Sequence, residues 1–179
     1  MPDDNLRHAL RHETRELHEA LDRMVGVFDD LGAYGRYLAG THRFHRVLET
    51  GLTGIPDWVP LPLSPLIDRD LLDLDIALRA PAAVQRLPLG RAACLGTLYV
   101  LEGSAIGARL LFRRAQQLGL SEVHGARHLA AQAGDSDRWR RFLPLLDDPG
   151  IDWAAAIHAA RAVFQLALNA YSEPAHEPV

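Results

Sequence analysis

The side chains with the clearest chemical potential lie in the first predicted helix, around His18. This histidine falls on or beside the apolar face of that helix, between Leu17 and Leu21. Asp22 lies one turn further on, where its carboxylate can accept a hydrogen bond from the Nδ1–H group of the imidazole. Such a bond fixes the tautomer and leaves Nε2 to bind a metal ion. The alternative is a core histidine whose ring nitrogens are satisfied by neighbouring groups.

A stripe of arginines shares this face of the helix. Arg7 and Arg11 lie within about 20° of the His18 direction, and Arg15 lies within about 60°. Arg11 is roughly 10 Å from His18 along the helix axis. A metal-binding histidine with cations at that offset suits a flat cofactor that carries two negative charges. The alternative for the arginines alone is a solvated helix face.

Glycines inside a long predicted helix form the second group of interest. Residues 98–109 read LYVLEGSAIGAR, and each glycine in a helix interior costs about 1 kcal/mol relative to alanine. Gly103 and Gly107 share a face, and Gly96 falls close to it. Such a face allows either close packing between helices or a backbone that lies against a flat ligand. In the second case Ser104 and Tyr99 supply hydroxyl groups beside that ligand.

The elements that position these residues are predicted to be helices almost throughout. Apolar residues recur at intervals of three and four, and no segment alternates long enough to be a convincing strand. Four prolines between positions 56 and 65 exclude a helix there. We expect one all-α domain over residues 1–172 and a flexible tail over 173–179. The predicted helical segments cover residues 4–28, 30–48, 64–73, 80–87, 89–118, 125–133, 135–149 and 152–171.

Composition excludes several classes of protein. The 179 residues contain 19 arginines, no lysine and 23 acidic side chains, for a net charge of -4, so no nucleic-acid partner is expected. A single cysteine, Cys94, excludes an intramolecular disulfide and a multi-cysteine metal site. The longest uncharged stretch, 162–172, is about half the length of a membrane-spanning helix. The acidic N-terminus is not a signal peptide, and we expect a cytoplasmic protein without a membrane span.

Three further histidine pairs occur at helical spacing. They are His8/His12, His42/His45 and His124/His128. Such spacing can hold a metal ion. None of the pairs is accompanied by a carboxylate in a recognised metal-binding pattern, so exposed polar side chains are the prediction for all three.

Two segments together resemble the heme oxygenase family. In the first helix, Thr14, His18 and Leu21 meet the T-x-x-x-H-x-x-L pattern of the family's proximal helix. Residues 98–107, LYVLEGSAIG, resemble the distal helix of the bacterial branch, which carries an E-G-S-x-x-G run. The resemblance covers residues 6–171, and the two motifs are specific in combination although neither is alone.

This resemblance implies a helical domain that clamps heme b between a proximal first helix and a glycine-bearing distal helix. The implied reaction opens heme to biliverdin with release of carbon monoxide and ferrous iron, and it consumes dioxygen and external electrons. The implied partners are an electron donor such as ferredoxin with its reductase and a biliverdin-accepting phytochrome-type protein. By position, the resemblance implies that His18 is the iron ligand and that Asp22 is its hydrogen-bonding partner. It implies that the heme propionates contact Arg11, Arg15 and Arg161. The distal surface would consist of Gly103, Ser104 and Gly107, and Tyr99 would belong to the distal water network.

The sequence departs from the family pattern at two positions of the second segment. Ala105 stands where some bacterial relatives have a polar side chain, and Ala108 where many members have glycine.

The principal alternative function is that of a non-catalytic heme carrier or sensor on the same fold. A di-iron bundle needs two Glu-x-x-His motifs, and the chain has one, in its tail. A heme-free helical enzyme needs an activated cysteine, and Cys94 has no basic neighbour in sequence.

Two arginine clusters are candidate docking patches for an acidic electron donor. The first comprises Arg109, Arg113 and Arg114, and the second lies at positions 138, 140 and 141. Charged side chains on amphipathic helices commonly face water without a partner. Solvated helix faces are therefore the alternative for both clusters.

Overall fold

The computed structural model describes residues 5–52, 55–77 and 90–172. Within these ranges the chain forms helices and no strand, which confirms the all-α prediction. The predicted helix at 80–87 and the tail at 173–179 lie outside the described residues. The helices are α1 (Leu6–Val25), α2 (Leu31–Gly51), α3 (Ser64–Asp73), α4 (Arg91–Gln117), α5 (Arg127–Gly134), α6 (Arg138–Phe142), which a 3-10 turn (Leu143–Leu146) follows, and α7 (Trp153–Ser172).

The first two helices begin at polar caps. Asn5 caps α1 by accepting a hydrogen bond from the His8 amide at 2.9 Å, and Asp30 caps α2 in the same way at 2.6 Å. The sequence predicts that α1 continues to Phe28, but the helix ends earlier because Gly26 adopts a φ of 60°. Phe28 is still buried, from the connecting loop.

One of the later predicted helices has the expected bounds and another does not. α3 covers the predicted residues 64–73, and Ser64 is its first helical residue. The carboxylate of Glu49, on α2, accepts hydrogen bonds from the Leu63 and Ser64 amides at 2.9 and 3.0 Å and replaces the cap. The single helix predicted after Asp135 is the short α6 followed by the 3-10 turn, because Pro144 has no amide hydrogen to continue α-helical bonding.

α7 is the central helix, and both α1 and α4 pack along it. The contact with the start of α4 is very close: a Cβ atom at Gly96 would lie 2.0 Å from the Ala156 carbonyl oxygen. By length and composition alone α4 could also cross a membrane, a test that core helices of soluble proteins pass as well. Its first half is held in the core of this domain by Leu95 and Leu98, both fully buried.

Three of the histidines predicted to be exposed are buried instead. Each lies beside a carboxylate, because an imidazole in a core needs a hydrogen-bonding partner. These contacts bind α2 and α5 to α3, directly or through the cap of α3. Among the described residues, no group of three or more potential metal ligands comes together. The pairs are His42 with Asp68 (3.0 Å), His45 with Glu49 (3.4 Å) and His128 with Asp70 (2.8 Å).

The buried His128 makes folding stability sensitive to acid. Burial lowers the pKa of His128 below its ordinary value of 6.5, although Asp70 acts in the opposite direction. Below that pH the unfolded chain binds a proton on this imidazole that the folded chain does not, so unfolding is favoured as the pH falls. We expect Tm to drop between pH 7.5 and pH 5.5, and to drop less in His128→Asn. Each kcal/mol lost corresponds to roughly 2–4 °C at this chain length. Equal drops in both proteins, measured by circular dichroism, would show that His128 does not cause the acid sensitivity.

Candidate functional site

The exposed side of α1 and the glycine-bearing face of α4 are the candidate walls of a cleft, and Tyr99 of α4 lies near Thr14 of α1 at one end of it. Burial raises the pKa of the Tyr99 hydroxyl, while the charges of Arg11 and Arg7 and the nearby Thr14 hydroxyl lower it. Thr14 is itself buried and donates to the Leu10 carbonyl at 2.7 Å. The Tyr99 hydroxyl therefore lies near the first arginines of α1.

Beyond this contact, the glycine-bearing face of α4 changes from covered to open. Gly96 packs against α7, whereas a Cβ atom at Gly107 would meet no atom within 4 Å. Ile106 and Leu110, on the same side, are 62% and 46% exposed. The small-residue face therefore packs against α7 in its first half and borders open space in its second, and a ligand against the second half stays a prediction.

His18 lies one turn beyond Thr14 on α1. Its side chain is 60% exposed, so it is not a core histidine. The Nδ1 atom lies 3.0 Å from Asp22 Oδ2, and Phe164 of α7 meets the ring edge-on at a centroid distance of 5.7 Å. Nε2 has no hydrogen-bonding partner among the described residues. The structure thus holds the ring on two sides and leaves one nitrogen to bind a ligand.

Exposed apolar side chains occur on α4 beside Gly107. Ile106 and Leu110 are exposed there, whereas the exposed Met24 of α1 lies about 120° around that helix from His18. Exposed apolar side chains close together on one helix are typical of a ligand-binding surface. An exposed imidazole on α1, with a bare stretch of backbone and apolar side chains on α4, suits a flat, apolar ligand that contains a metal.

The predicted anion-binding arginines are only partly brought together. Arg11 and Arg15 are exposed on α1 and make no hydrogen bond or ion pair with any described residue. Arg161 of α7 instead donates a hydrogen bond to the Glu13 carbonyl oxygen. Glu13 lies about 140° around α1 from His18. The Arg161 guanidinium therefore sits on the other flank of α1, away from Arg11 and Arg15.

The two remaining residues of the predicted distal surface have neighbours of their own. The Ser104 hydroxyl donates to the Leu101 carbonyl at 2.6 Å and lies 3.3 Å from Gln132 Nε2 of α5. It is therefore engaged by its own helix and by α5. A Cβ atom at Gly103 would lie 3.8 Å from the Trp139 ring of α6. Gly103 thus borders an aromatic side chain, and Gly107 borders the open cleft.

Sequence reasoning misses an ion pair directly behind the glycine face. Glu102 is 3% exposed, and its carboxylate accepts hydrogen bonds from Arg138 at 2.7 and 2.8 Å and from the Trp58 indole at 2.8 Å. The sequence does carry one signal for this pair, a glutamate inside an apolar stretch of helix. A carboxylate in a protein core requires a partner, so Glu102 could have been predicted to form a buried ion pair. Spacing does not identify that partner, which is 36 residues away.

Two comparisons with known proteins, one of sequence and one of structure, both match members of one enzyme family. The chain is 30% identical over 145 residues to heme oxygenase PigA of Pseudomonas aeruginosa, an alignment that covers 75% of this chain and 73% of that protein. Its fold is similar to that of the heme oxygenase of Neisseria meningitidis, known from crystal structures with NO and CO bound. The TM-score is 0.73 at 27% identity, over 94% of this chain and 90% of that one. No protein-family model matches the chain.

Proposed function

The chain belongs to the heme oxygenase family, and on that premise we propose that its substrate, heme b, binds in the cleft between α1 and α4. As a heme oxygenase, the enzyme opens heme to biliverdin and releases carbon monoxide and ferrous iron, with dioxygen and a reductant consumed. The heme supplies the iron at which dioxygen reacts. The residues of the chain bind the heme and orient it.

The exposed imidazole of His18 is the observation that carries this proposal. The Asp22 carboxylate lies 3.0 Å from Nδ1, where its charge favours the tautomer that carries the proton on Nδ1 and leaves Nε2 as the iron ligand. Phe164 restrains the ring on a second side. A neutral imidazole is a suitable ligand for iron that must react with dioxygen.

The bare backbone of α4 forms the opposite, distal side of the heme. At Gly107 no side chain separates the backbone from the cleft, and the space in front of it is open. Ile106 and Leu110 cover the heme beside it and exclude water from the ring face. Ser104 lies behind this surface, where its hydroxyl donates a hydrogen bond to the backbone of α4 and faces Gln132 on α5.

The heme propionates are bound at the arginine-bearing end of the cleft. Arg11 and Arg15 supply the cations, and neither has a competing carboxylate among the described residues. We place Tyr99 with them and not in a distal water network, because its hydroxyl lies near Thr14 and near the charge of Arg11. Arg161 is left out of this clamp, since its guanidinium binds the backbone on the other flank of α1.

Arg11→Ala should weaken hemin binding by about tenfold, because a hydrogen bond to a charged group contributes about 1.5 kcal/mol. Loss of one in-plane restraint should also change the ratio of biliverdin isomers. Arg23→Ala is the matched control, since Arg23 is an exposed arginine on the same helix about 140° from His18. Fluorescence-quenching titration and chromatography of the products measure the two effects. If Arg11→Ala and Arg15→Ala both behave as wild type, the clamp is wrong whatever the role of His18.

We propose a ferredoxin with its reductase as the electron donor. Arg109 and Arg113 share one face of α4 and Arg114 lies about 100° further round, and none of the three has an ion-pair partner in the described part of the chain. The arginines at 138, 140 and 141 each pair with a carboxylate, so that cluster is neutralised. An acidic donor would therefore dock on the first patch. A cytoplasmic location and a phytochrome-type acceptor of biliverdin complete the proposal.

Hemin titration followed by reduction in air tests the proposed function. We expect a one-to-one complex with the spectrum of a histidine-ligated heme. On addition of ascorbate, or of ferredoxin with its reductase, this spectrum should decay to that of biliverdin. Failure of the purified protein to bind hemin in a one-to-one complex overturns the proposed site.

A further inference from the structure

The buried pair of Glu102 and Arg138 joins three separate parts of the structure behind the cleft. Both nitrogens of one edge of the guanidinium, Nε and Nη2, bond to the two carboxylate oxygens of Glu102 at 2.7 and 2.8 Å. The same Nη2 atom donates to the Val59 carbonyl at 2.7 Å. The guanidinium also lies over the Trp58 ring, 4.8 Å from its centroid. Arg138 thus connects α6 to α4 and to the segment before α3.

Trp139, the next residue along, touches the cleft side of α4. Its ring lies 5.7 Å from the Tyr99 ring between centroids, and 3.8 Å from the point where Gly103 would carry a Cβ atom. Gly103 and Tyr99 are residues of the proposed heme site. Arg138 is therefore an anchor whose neighbour in the chain packs against Tyr99 and Gly103.

α6 cannot hold this position through its own hydrogen bonds. It has only five residues, and no side chain caps its start; isolated helices of this length are unstable in water. Its placement must come from contacts with the rest of the fold. A two-bonded arginine–carboxylate pair fixes both distance and angle, which apolar contacts do not.

We infer that Glu102 and Arg138 are positioning residues that fix Trp139 against Gly103 and Tyr99, and thereby fix the orientation of heme in its plane. The inference rests on the proposed heme site. A purely stabilising role does not require an ion pair here, because well-packed apolar side chains commonly replace buried pairs without loss of stability. We therefore assign the pair to the directional placement of the Trp139 ring.

Four variants and one control test the inference. Glu102→Gln and Arg138→Met each remove one charge, the double variant removes both and leaves no buried charge unpaired, and Trp139→Leu removes the positioned ring. We expect all of them to keep His18 ligation in the hemin spectrum. We expect the share of the principal biliverdin isomer relative to the others to change by about threefold or more. Arg141→Gln, an exposed position on the same helix, should keep the wild-type ratio.

The outcomes separate this inference from the proposed function. If the folded double variant and Trp139→Leu keep the wild-type isomer ratio, the inference is overturned while the enzyme remains a heme oxygenase. If the wild type forms no biliverdin, the proposed function fails instead. The hyperfine-shifted methyl resonances of the hemin complex then still report the heme orientation, and identical spectra for wild type and double variant overturn the inference.

Discussion

We expect His18→Ala to bind hemin without a histidine-ligated spectrum and to form biliverdin at less than about one hundredth of the wild-type rate. Loss of a side chain that orients a metal-bound histidine already costs about 10–100-fold, and loss of the histidine itself costs at least the upper figure. Asp22→Asn, which removes the carboxylate 3.0 Å from Nδ1, should fall between the two proteins. Initial rates of biliverdin formation at saturating hemin measure the effect.

Added imidazole provides an internal control for this prediction. In His18→Ala the free ligand should occupy the space of the missing side chain and restore the ligated spectrum together with part of the turnover. His12→Ala, an exposed histidine on the same helix, should behave as wild type. An unchanged hemin spectrum in His18→Ala would show that another residue holds the iron.

Gly96→Ala and Gly107→Ala should have opposite effects on stability, although both add one methyl group to the same face of α4. At position 96 the new carbon would lie 2.0 Å from the Ala156 carbonyl oxygen, so α4 and α7 must separate, at a cost of about 3 kcal/mol or more. At position 107 it meets open space, and the gain in helix propensity is about 1 kcal/mol. Urea unfolding monitored by circular dichroism measures the free energy of unfolding of both variants.

A larger side chain at position 107 separates stability from heme binding. Gly107→Leu should fold as well as wild type but bind hemin at least about tenfold more weakly, because the leucine fills the cleft. Gln116→Leu is the matched control on an exposed part of the same helix. Wild-type hemin affinity in Gly107→Leu would place the heme away from this face of α4.

The parts of the site within one helix could be predicted from the sequence. Helical spacing alone determines that His18 and Asp22 share one turn, and their side chains do meet. Spacing also reveals that Gly96, Gly103 and Gly107 share a face. Spacing does not reveal where α7 stops covering that face, so the choice between packing and an open cleft needed the structure.

Contacts between distant segments could not be predicted in this way. Glu102 and Arg138 are 36 residues apart, and Arg161 meets a backbone carbonyl 148 residues away. His128 has the spacing of an exposed helical residue, yet it is buried because Asp70, 58 positions earlier, satisfies it. In each case the partner is brought near by the packing of other helices, and a periodic pattern holds no information about that packing.

Carbon monoxide released per heme consumed is the most direct test of the central claim, that this cleft binds heme and supports its opening. The hemin complex is reduced by ferredoxin and its reductase in air, with catalase present to remove free peroxide. The account predicts equimolar carbon monoxide and biliverdin from wild type, and less than about one hundredth of either product from His18→Ala in the same time. A stable reduced complex without carbon monoxide would contradict it and would identify the protein as a heme carrier or sensor.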